Sequence, residues 1–451
     1  MMPDLNLPTS SEMSDSAKRV WLVSADMGYG HQRAVYPLKH LAEEEIITVG
    51  SGKRISISER KLWQGMLNIY EFFSQAKGIP IIGSPLFSLL GLMLKIPSCY
   101  PFRNLSNTTF LVNLLEMQID QGLCKSMLEI TSSKNIPIIT SFYASAIAAD
   151  RKGSNRVYCI ICDADINRVW VAKKPMESRV EYFAPCGKAA HRLKAYGVPE
   201  ERIHITGFPL PIGLLGDENL TILKRDLGQR LFYLDPLGKF RARHGRNVEF
   251  FLGEQNCVFK NDRMLTIAFA VGGAGAQKEI GRKIALSLKT KLQAGEVRLI
   301  LVAGIRKDVR DYFEATKAEV DLSGDSISII YSESLHEYFD LFHNALHETD
   351  ILWTKPSELS FYCGLGMPIV VSPSIGSQEN FNKKWLREIR AGVKQENPNY
   401  TDQWLFDTLR RGTLAECAWD GFLKTRKLGS FNVKRILENG FIERPRDAVM
   451  R

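Results

Sequence analysis

Short apolar runs alternate with amphipathic segments along most of this chain. Residues 20–23 form one apolar run, and Ala34, Leu38 and Leu41 then recur at the spacing of one helix face. Further apolar runs, separated by helical patterns, lie at residues 136–140, 157–162, 180–183 and 203–206. This alternation predicts an α/β fold with doubly wound parallel sheets.

The second half of the chain repeats the order of the first. Residues 265–271 form an apolar run, GGAGAQ follows as a turn, and Ile280, Ile284 and Leu288 then mark a helix face. The repetition predicts two similar nucleotide-binding-type domains. We expect a disordered lead-in, a first domain, a second domain and a helical tail that packs back on the first domain, at residues 1–17, 18–211, 212–400 and 401–451.

Two other segments have recognisable local patterns. GFPLP at residues 207–211 is a rigid stop and is predicted to be the interdomain hinge. The basic stretch at residues 237–256 is interpreted as a solvated loop, with an anion contact as the alternative.

Residues 350–386 read as strand, tight turn, helix, strand, loop and helix. The first strand stops at Thr354-Lys355-Pro356-Ser357, and the second, residues 368–371, stops at a turn containing Pro373. Both turns deliver polar side chains to the same sheet edge, where open parallel sheets bind ligands. This stretch is therefore a candidate ligand site.

Composition narrows the class of protein. The 451 residues are 45% hydrophobic and 24% charged, which is typical of a globular protein large enough for two cores. A net charge of +9 favours an anionic partner; the alternative is that the charge only gives a soluble basic surface. Nucleic acid is a poor candidate for that partner, because the sequence has no recognisable nucleic-acid-binding module.

The cysteines and the first residues indicate a reducing, cytoplasmic setting. Eight cysteines show no disulfide-framework spacing, and Cys159 and Cys162 sit in an apolar run where strand burial is favoured over zinc or redox chemistry. The first 16 residues lack the apolar region of a signal peptide.

One uncharged apolar segment suggests contact with a membrane. Residues 78–94 carry no charge and are flanked by Lys77 and Lys95. Proline and glycine interrupt the segment, so we interpret it as an interfacial segment on an anionic lipid surface; a buried core helix pair is the alternative.

Two glycines follow the first apolar run. Gly28 and Gly30 lie where a strand passes into a helix that is predicted to start near His31. Such a turn lets backbone approach an anionic ligand at a helix N-terminus, although two glycines also simply make a tight turn.

Three motifs together resemble one group of glycosyltransferases. MGYGH at residues 27–31, VGGAGAQ at 271–277, and TKPSE with the later GSQENFN resemble the lipid II-forming N-acetylglucosaminyltransferase, monogalactosyldiacylglycerol synthase and processive diacylglycerol glucosyltransferase group. The resemblance extends over residues 18–392. It implies two Rossmann-like domains facing across a cleft (GT-B type), the first taking a lipid acceptor and the second a nucleotide sugar.

The resemblance also implies roles for individual residues. His31 would be the general base, with a helix-capping histidine as the alternative. The acceptor side would contain Gly28, Gly30 and Asp163. The donor side would contain Gly272, Gly273, Gly275, Gln277, Thr354, Lys355, Glu358, Gln378 and Asn382. For Thr354 and Lys355, a plain turn is the alternative.

Two features of this sequence differ from the site that the resemblance implies. The family's ribose-binding glutamate lies about five residues before a glycine that here is Gly366, but that position holds Phe361, and the nearest glutamate is Glu358. Asp163 and Asp165 spell D-x-D, a metal-binding signature of a different glycosyltransferase fold; we expect no metal and no cofactor because this group's inverting members generally need none.

The resulting hypothesis is an inverting, metal-independent glycosyltransferase that moves a sugar from a nucleotide-sugar donor, expected to be a UDP-sugar, to a lipid hydroxyl at the cytoplasmic membrane face. The alternatives are a nucleotide-sugar epimerase or hydrolase on the same fold, and a non-catalytic relative that binds lipid or a partner.

Overall fold

The computed structural model describes residues 18–51, 55–65, 96–98, 100–258, 263–273, 275–320, 326–375 and 377–442. The predicted lead-in at residues 1–17 and the interfacial segment at residues 78–94 lie outside the described residues. No helix in the described ranges has the length and apolarity needed to cross a bilayer.

Within the described residues, twelve strands form two parallel sheets of six strands each. The first sheet contains β1 Trp21–Ala25, β2 Ile47–Val49, β3 Ile138–Thr140, β4 Val157–Ile160, β5 Glu181–Ala184 and β6 Ile203–Ile205. The second contains β7 Leu265–Ala270, β8 Val297–Gly304, β9 Ile327–Tyr331, β10 Ile351–Thr354, β11 Ile369–Val371 and β12 Gly392–Lys394. Their orders are β2-β1-β3-β4-β5-β6 and β12-β11-β10-β7-β8-β9.

Helices connect the strands and cover the sheets. The named α-helices are α1 Tyr29–Val35, α2 Phe110–Asp120, α3 Lys125–Thr131, α4 Tyr143–Lys152, α5 Gly187–Ala195, α6 Ile212–Leu215, α7 Thr221–Leu234, α8 Lys239–Leu252, α9 Lys278–Ser287, α10 Lys289–Gln293, α11 Lys307–Val320, α12 Leu335–Leu346, α13 Ser377–Glu388, α14 Thr401–Arg410, α15 Thr413–Lys424 and α16 Gly429–Asn439. Short 3₁₀ helices span Tyr36–Leu41, Arg168–Trp170, Glu200–Arg202, Glu254–Cys257, Glu358–Leu365 and Pro398–Tyr400.

The apolar runs become strands because both faces of each sheet are covered. All five residues of β1 and all six of β7 are buried, which is the pattern of parallel strands between helix layers. The predicted α/β fold with two Rossmann-like doubly wound domains is confirmed by these sheets.

Two local predictions need correction. Helix α1 begins at Tyr29, two residues before the predicted start, so Gly30 and His31 lie within its first turn and only Gly28 lies in the strand-to-helix turn. The predicted loop at residues 237–256 is largely helix α8, because Phe240, Val248 and Leu252 fall on one face and are buried there.

Each sheet has a point at which its strand order reverses, and ligands of doubly wound sheets bind outside the carboxyl ends of the strands there. In the first sheet this point lies between β1 and β3, and in the second between β7 and β10. Contacts between α1 and the 3₁₀ helix Glu358–Leu365 bring these two edges together.

The C-terminal tail contacts the predicted hinge. Asn432 Nδ2 donates to the carbonyl of Thr206 at 2.8 Å, and Ser430 Oγ donates to the carbonyl of Leu210 at 2.6 Å. Helix α16 therefore lies against the segment that joins the two domains.

Candidate functional site

The glycine turns of the two domains meet in the cleft. Gly28, with φ of 101°, follows β1, and Gly273 follows β7. A Cβ added at Gly273 would lie 3.6 Å from Gly28 Cα and 3.5 Å from the Tyr29 ring. The two motifs that are far apart in sequence thus lie against each other at the facing sheet edges.

His31 is held against its own sheet by a backbone carbonyl. Its Nδ1 lies 2.6 Å from the carbonyl oxygen of Ser141, which follows β3. Because a carbonyl only accepts, Nδ1 carries the proton, and the lone pair of the neutral ring is on Nε2. The ring packs edge-on against Phe142 and beside Trp170, with centroid distances of 4.9 and 6.1 Å.

This environment suits a general base. Burial lowers the pKa of His31 below its usual value, and the Ser141 carbonyl and Glu358 offset part of that effect. The imidazole ring of His31 is therefore neutral in most molecules at pH 7. The helix-capping alternative is wrong, because the N-cap of α1 is Gly28 and no side chain caps it.

Asp163 and Asn382 form a bridge between the domains. Asn382 Nδ2 donates to Asp163 Oδ1 at 2.8 Å and to the carbonyl of Pro356 at 3.2 Å, while Asn382 Oδ1 accepts from the Ala164 N–H at 2.8 Å. Asn382 is fully buried. Its amide therefore has partners on both sides of the cleft within the protein itself.

The bridge leaves Asp163 as an unusual carboxyl group. Asp163 is partly exposed, yet burial of its carboxyl raises the pKa to about 6, against the hydrogen bond from Asn382, which lowers it. Nearby Glu358 and Glu379 raise the pKa further. Asp163 therefore titrates close to neutral pH, as an acid or base group does at many reactive sites.

Asp165, the second aspartate of D-x-D, has a different partner. Its carboxylate accepts from Arg192 Nε at 2.7 Å and from Arg192 Nη2 at 3.0 Å, and both side chains are buried. Asp163 and Asp165 thus have separate partners. This arrangement does not bring their carboxylates together around one metal ion.

Glu358 forms a buried ion pair with a residue of the first domain. Arg33 Nη1 donates to Glu358 Oε1 at 2.5 Å, and the two side chains are 2% and 8% exposed. Burial raises the pKa of Glu358, but the charge and hydrogen bond of Arg33 outweigh it, and the pKa lies below its ordinary value. The other carboxylate oxygen would be 3.1 Å from a Cβ added at Gly30.

Lys355 brings a positive charge to the glycine turn of the second domain. A Cβ added at Gly272 would lie 2.4 Å from Lys355 Cε, so only glycine permits this approach. Lys355 Nζ donates to Glu379 Oε1 at 2.8 Å, and Glu379 Oε2 accepts from the Ile375 N–H at 2.6 Å. The ammonium group is therefore positioned beside the turn by a carboxylate that also holds the loop after β11.

The remaining residues predicted on the donor side either donate hydrogen bonds to backbone carbonyls, form the glycine turn, or are partly exposed. Thr354 Oγ1 donates to the carbonyl of Ala270 at 3.2 Å, and Gln277 Nε2 donates to the carbonyl of Pro373 at 2.8 Å. Gly275, with φ of 68°, completes the turn before α9. Gln378 is partly exposed in the first turn of α13.

Sequence reasoning missed the side of α1 that faces the second domain. Tyr29 accepts from the Ile305 N–H at 3.0 Å, and Tyr36 donates to Asp340 Oδ1 at 2.9 Å. With Arg33 these residues recur at i, i+4 and i+7, which is the spacing of one helix face. The sequence signal for these residues is a stripe of aromatic and basic side chains on the helix face opposite the apolar stripe.

Comparison with known proteins finds structural similarity only. No protein-family model and no curated protein matches the sequence. A putative UDP-N-acetylglucosamine 2-epimerase from Listeria monocytogenes is 11% identical, covering 95% of this chain and 99% of that one, with a TM-score of 0.47. UDP-GlcNAc 2-epimerase from Neisseria meningitidis, bound to UDP-GlcNAc, is 12% identical (93% and 100% covered, TM-score 0.45). MurG of Acinetobacter baumannii is 13% identical (93% and 99%, TM-score 0.44).

Proposed function

We propose that this chain is a glycosyltransferase that moves a sugar from a nucleotide sugar to an acceptor hydroxyl, with His31 as the general base. The observation that carries the proposal is the fixed tautomer of His31: its Nδ1 is bonded to the Ser141 carbonyl, which leaves a basic Nε2 on a helix that faces the glycine turn of the second domain. That combination supplies a proton acceptor and an anion-binding turn in one cleft.

The reaction is a single displacement. Nε2 of His31 takes the proton of the acceptor hydroxyl, the oxygen forms a bond to the anomeric carbon, and the bond from that carbon to the diphosphate breaks. The nucleoside diphosphate leaves with the electron pair, and attack from the opposite face inverts the configuration.

The leaving diphosphate has a suitable environment in the turn after β7. Backbone amides of Gly272 and Gly273 and the start of α9 favour negative charge. Lys355 lies beside Gly272, and Arg306 Nε would be 3.7 Å from a Cβ added at Gly275. These groups support a nucleotide diphosphate as the donor's leaving group.

Replacement of His31 tests the proposal directly. His31→Gln keeps the size of the side chain but removes the base, so we expect transfer to fall by about 10²- to 10⁴-fold while UDP binding is retained. His204→Gln is a matched control, because His204 pairs with Glu181 at β5, away from the cleft. Unchanged turnover in His31→Gln would refute the assignment.

A lipid acceptor is supported by the surface of the first domain. An open groove of about 640 Å³ is lined by Arg103, Lys173 and Lys194, and Phe102 and Met176 stand exposed beside it. Basic and exposed apolar side chains together suit an anionic lipid surface. Sedimentation with anionic vesicles should weaken as salt rises, and lack of binding at low salt would remove the support for a lipid acceptor.

A second candidate is an epimerase or hydrolase of nucleotide sugars. It is favoured by Asp163, whose pKa of about 6 supplies another acid or base group in the same cleft. Incubation of the protein with a nucleotide sugar and no acceptor separates the two candidates. Product formed without acceptor would favour the second.

A further inference from the structure

Helix α1, which carries His31, and the 3₁₀ helix that follows it at Tyr36 also make polar contacts with the second domain. Tyr29, Arg33 and Tyr36 lie on one face of this segment, and all three reach across the cleft. The His31 ring instead contacts Ser141 and Phe142 of its own domain. The same short helix therefore connects the proposed base to the position of the other domain.

The centre of this contact is the ion pair of Arg33 and Glu358. Arg33 also donates to the hydroxyl of Tyr338. Its guanidinium lies 5.2 to 5.5 Å from the centroids of four surrounding rings, those of Tyr29, Tyr338, Phe339 and Phe342. A buried guanidinium needs a charged partner, and Glu358 from the second domain supplies it. Separation of the domains exposes both charges to water.

Tyr29 covers the backbone that a nucleotide would need. Its hydroxyl accepts the N–H of Ile305, which follows β8. A Cβ added at Gly304 would lie 2.5 Å from the Tyr29 hydroxyl, and one added at Gly273 would lie 3.5 Å from its ring. Tyr29 therefore occupies the space between the carboxyl ends of β7 and β8.

We propose that the Tyr29, Arg33 and Tyr36 face is a latch that holds the domains closed, and that Glu358 is the charged partner of this latch rather than a ligand of the donor sugar. Nucleotide enters the open form, in which Tyr29 has left Gly273 and Gly304. The role of the nucleotide in this inference rests on the proposed function; the latch itself does not.

The two roles of Glu358 predict opposite changes in nucleotide affinity. If Glu358 belongs to the latch, its removal increases the fraction of open protein, and the apparent Kd for UDP falls because it equals the intrinsic Kd divided by the competent fraction. If Glu358 binds ribose, its removal raises the Kd. The sign of the change separates the two roles.

The experiment uses the full chain with two variants. Glu358→Gln removes the charge with little change in shape, and Arg33→Met/Glu358→Met removes both charges, so that no buried charge is left unpaired. The control is Arg282→Met/Glu319→Met, which removes an ion pair on the surface of the second domain whose side chains are 41% and 43% exposed. UDP binding is measured by titration calorimetry, and domain separation by small-angle X-ray scattering without nucleotide.

We expect both latch variants to have a radius of gyration above the roughly 22 Å of a compact chain of this length. We also expect them to bind UDP at least about threefold more tightly than the parent. The control should match the parent in both measurements. Weaker UDP binding in the variants, or unchanged scattering, would overturn the latch.

The latch and the proposed function fail separately. Expanded variants of a protein that transfers no sugar would support the latch and sink the transferase. Normal sugar transfer with unchanged scattering in both variants would support the transferase and refute the latch. Where the variants transfer sugar, loss of the latch should lower KM for the nucleotide sugar together with the Kd for UDP, because more of the protein is in the open form; a raised KM would count against the latch.

Discussion

Replacing Asn382 by alanine removes three hydrogen bonds, of which those to Asp163 and Ala164 join the two domains. The amide donates to Asp163 and to the Pro356 carbonyl, and it accepts from the Ala164 N–H, all within a fully buried site. A neutral hydrogen bond contributes about 1 kcal/mol net, and one to a charged group about 1.5 to 3 kcal/mol. We therefore expect Asn382→Ala to lower the free energy of unfolding by about 3 to 5 kcal/mol.

The measurement is urea denaturation followed by tryptophan fluorescence and far-UV circular dichroism. Coincidence of the two transitions shows that the domains unfold together, which the comparison of free energies requires. Gln378→Ala is the matched control on the same helix, because Gln378 is partly exposed; we expect a change within about 0.5 kcal/mol. A loss below about 1 kcal/mol for Asn382→Ala would refute the reasoning that its hydrogen bonds to Asp163 and Ala164 hold the domains together.

Three further predictions concern pH and the glycine turns. Because burial lowers the pKa of His31, kcat/KM should decline on acidification with a midpoint below 6.5, and a midpoint above 6.5 would contradict this environment. The pKa of Asp163 is raised from 3.8 to about 6, so its stabilising contribution is present below pH 3.8 and lost as pH rises through 6. Asp163→Asn should then be more stable than the parent at pH 8 by up to about 2 kcal/mol, allowing for partial exposure, and no more stable at pH 3.5; urea denaturation at both pH values checks this. Thermal denaturation should show a larger loss of stability for Gly304→Ala than for Gly295→Ala. Both glycines have positive φ, but only at Gly304 would an added Cβ meet Tyr29. Equal losses in the two variants would contradict the contact between Tyr29 and Gly304.

The features that local patterns carry were predictable from the sequence. Apolar runs became buried parallel strands, and the predicted glycine turns follow β1 and β7. Because parallel strands deliver their carboxyl ends to one edge, the pattern also predicted that the turns after β10 and β11 lie at one sheet edge, and the structure pairs β7 with β10, so that β7 ends at the same edge. Lys355 and Gly272 are in contact for this reason.

The partners of the polar side chains were not predictable in the same way. Glu358 pairs with Arg33, and Asn382 with Asp163, across separations of 325 and 219 residues. No local period encodes such pairs, since they depend on how two separately folded domains meet. The error at residues 237–256 had a different cause: their charge suggested a loop, although Phe240 and the later apolar positions already fitted a helix face.

In the proposed latch, closure of the cleft weakens the apparent binding of a nucleotide. Glu358 is paired with Arg33, Asn382 with Asp163, and Tyr29 covers the glycine turn, so a donor has to bind the open form. If the open form is about 1% of the protein, a nucleotide with an intrinsic Kd of 1 μM shows an apparent Kd of about 100 μM, a loss of about 2.7 kcal/mol. A thermal-shift screen at micromolar nucleotide would then show nothing, whereas millimolar UDP, GDP or dTDP would stabilise the folded protein measurably. The latch variants should respond at lower concentrations than the parent, and for that reason they are the better proteins in which to identify the base and sugar of the donor.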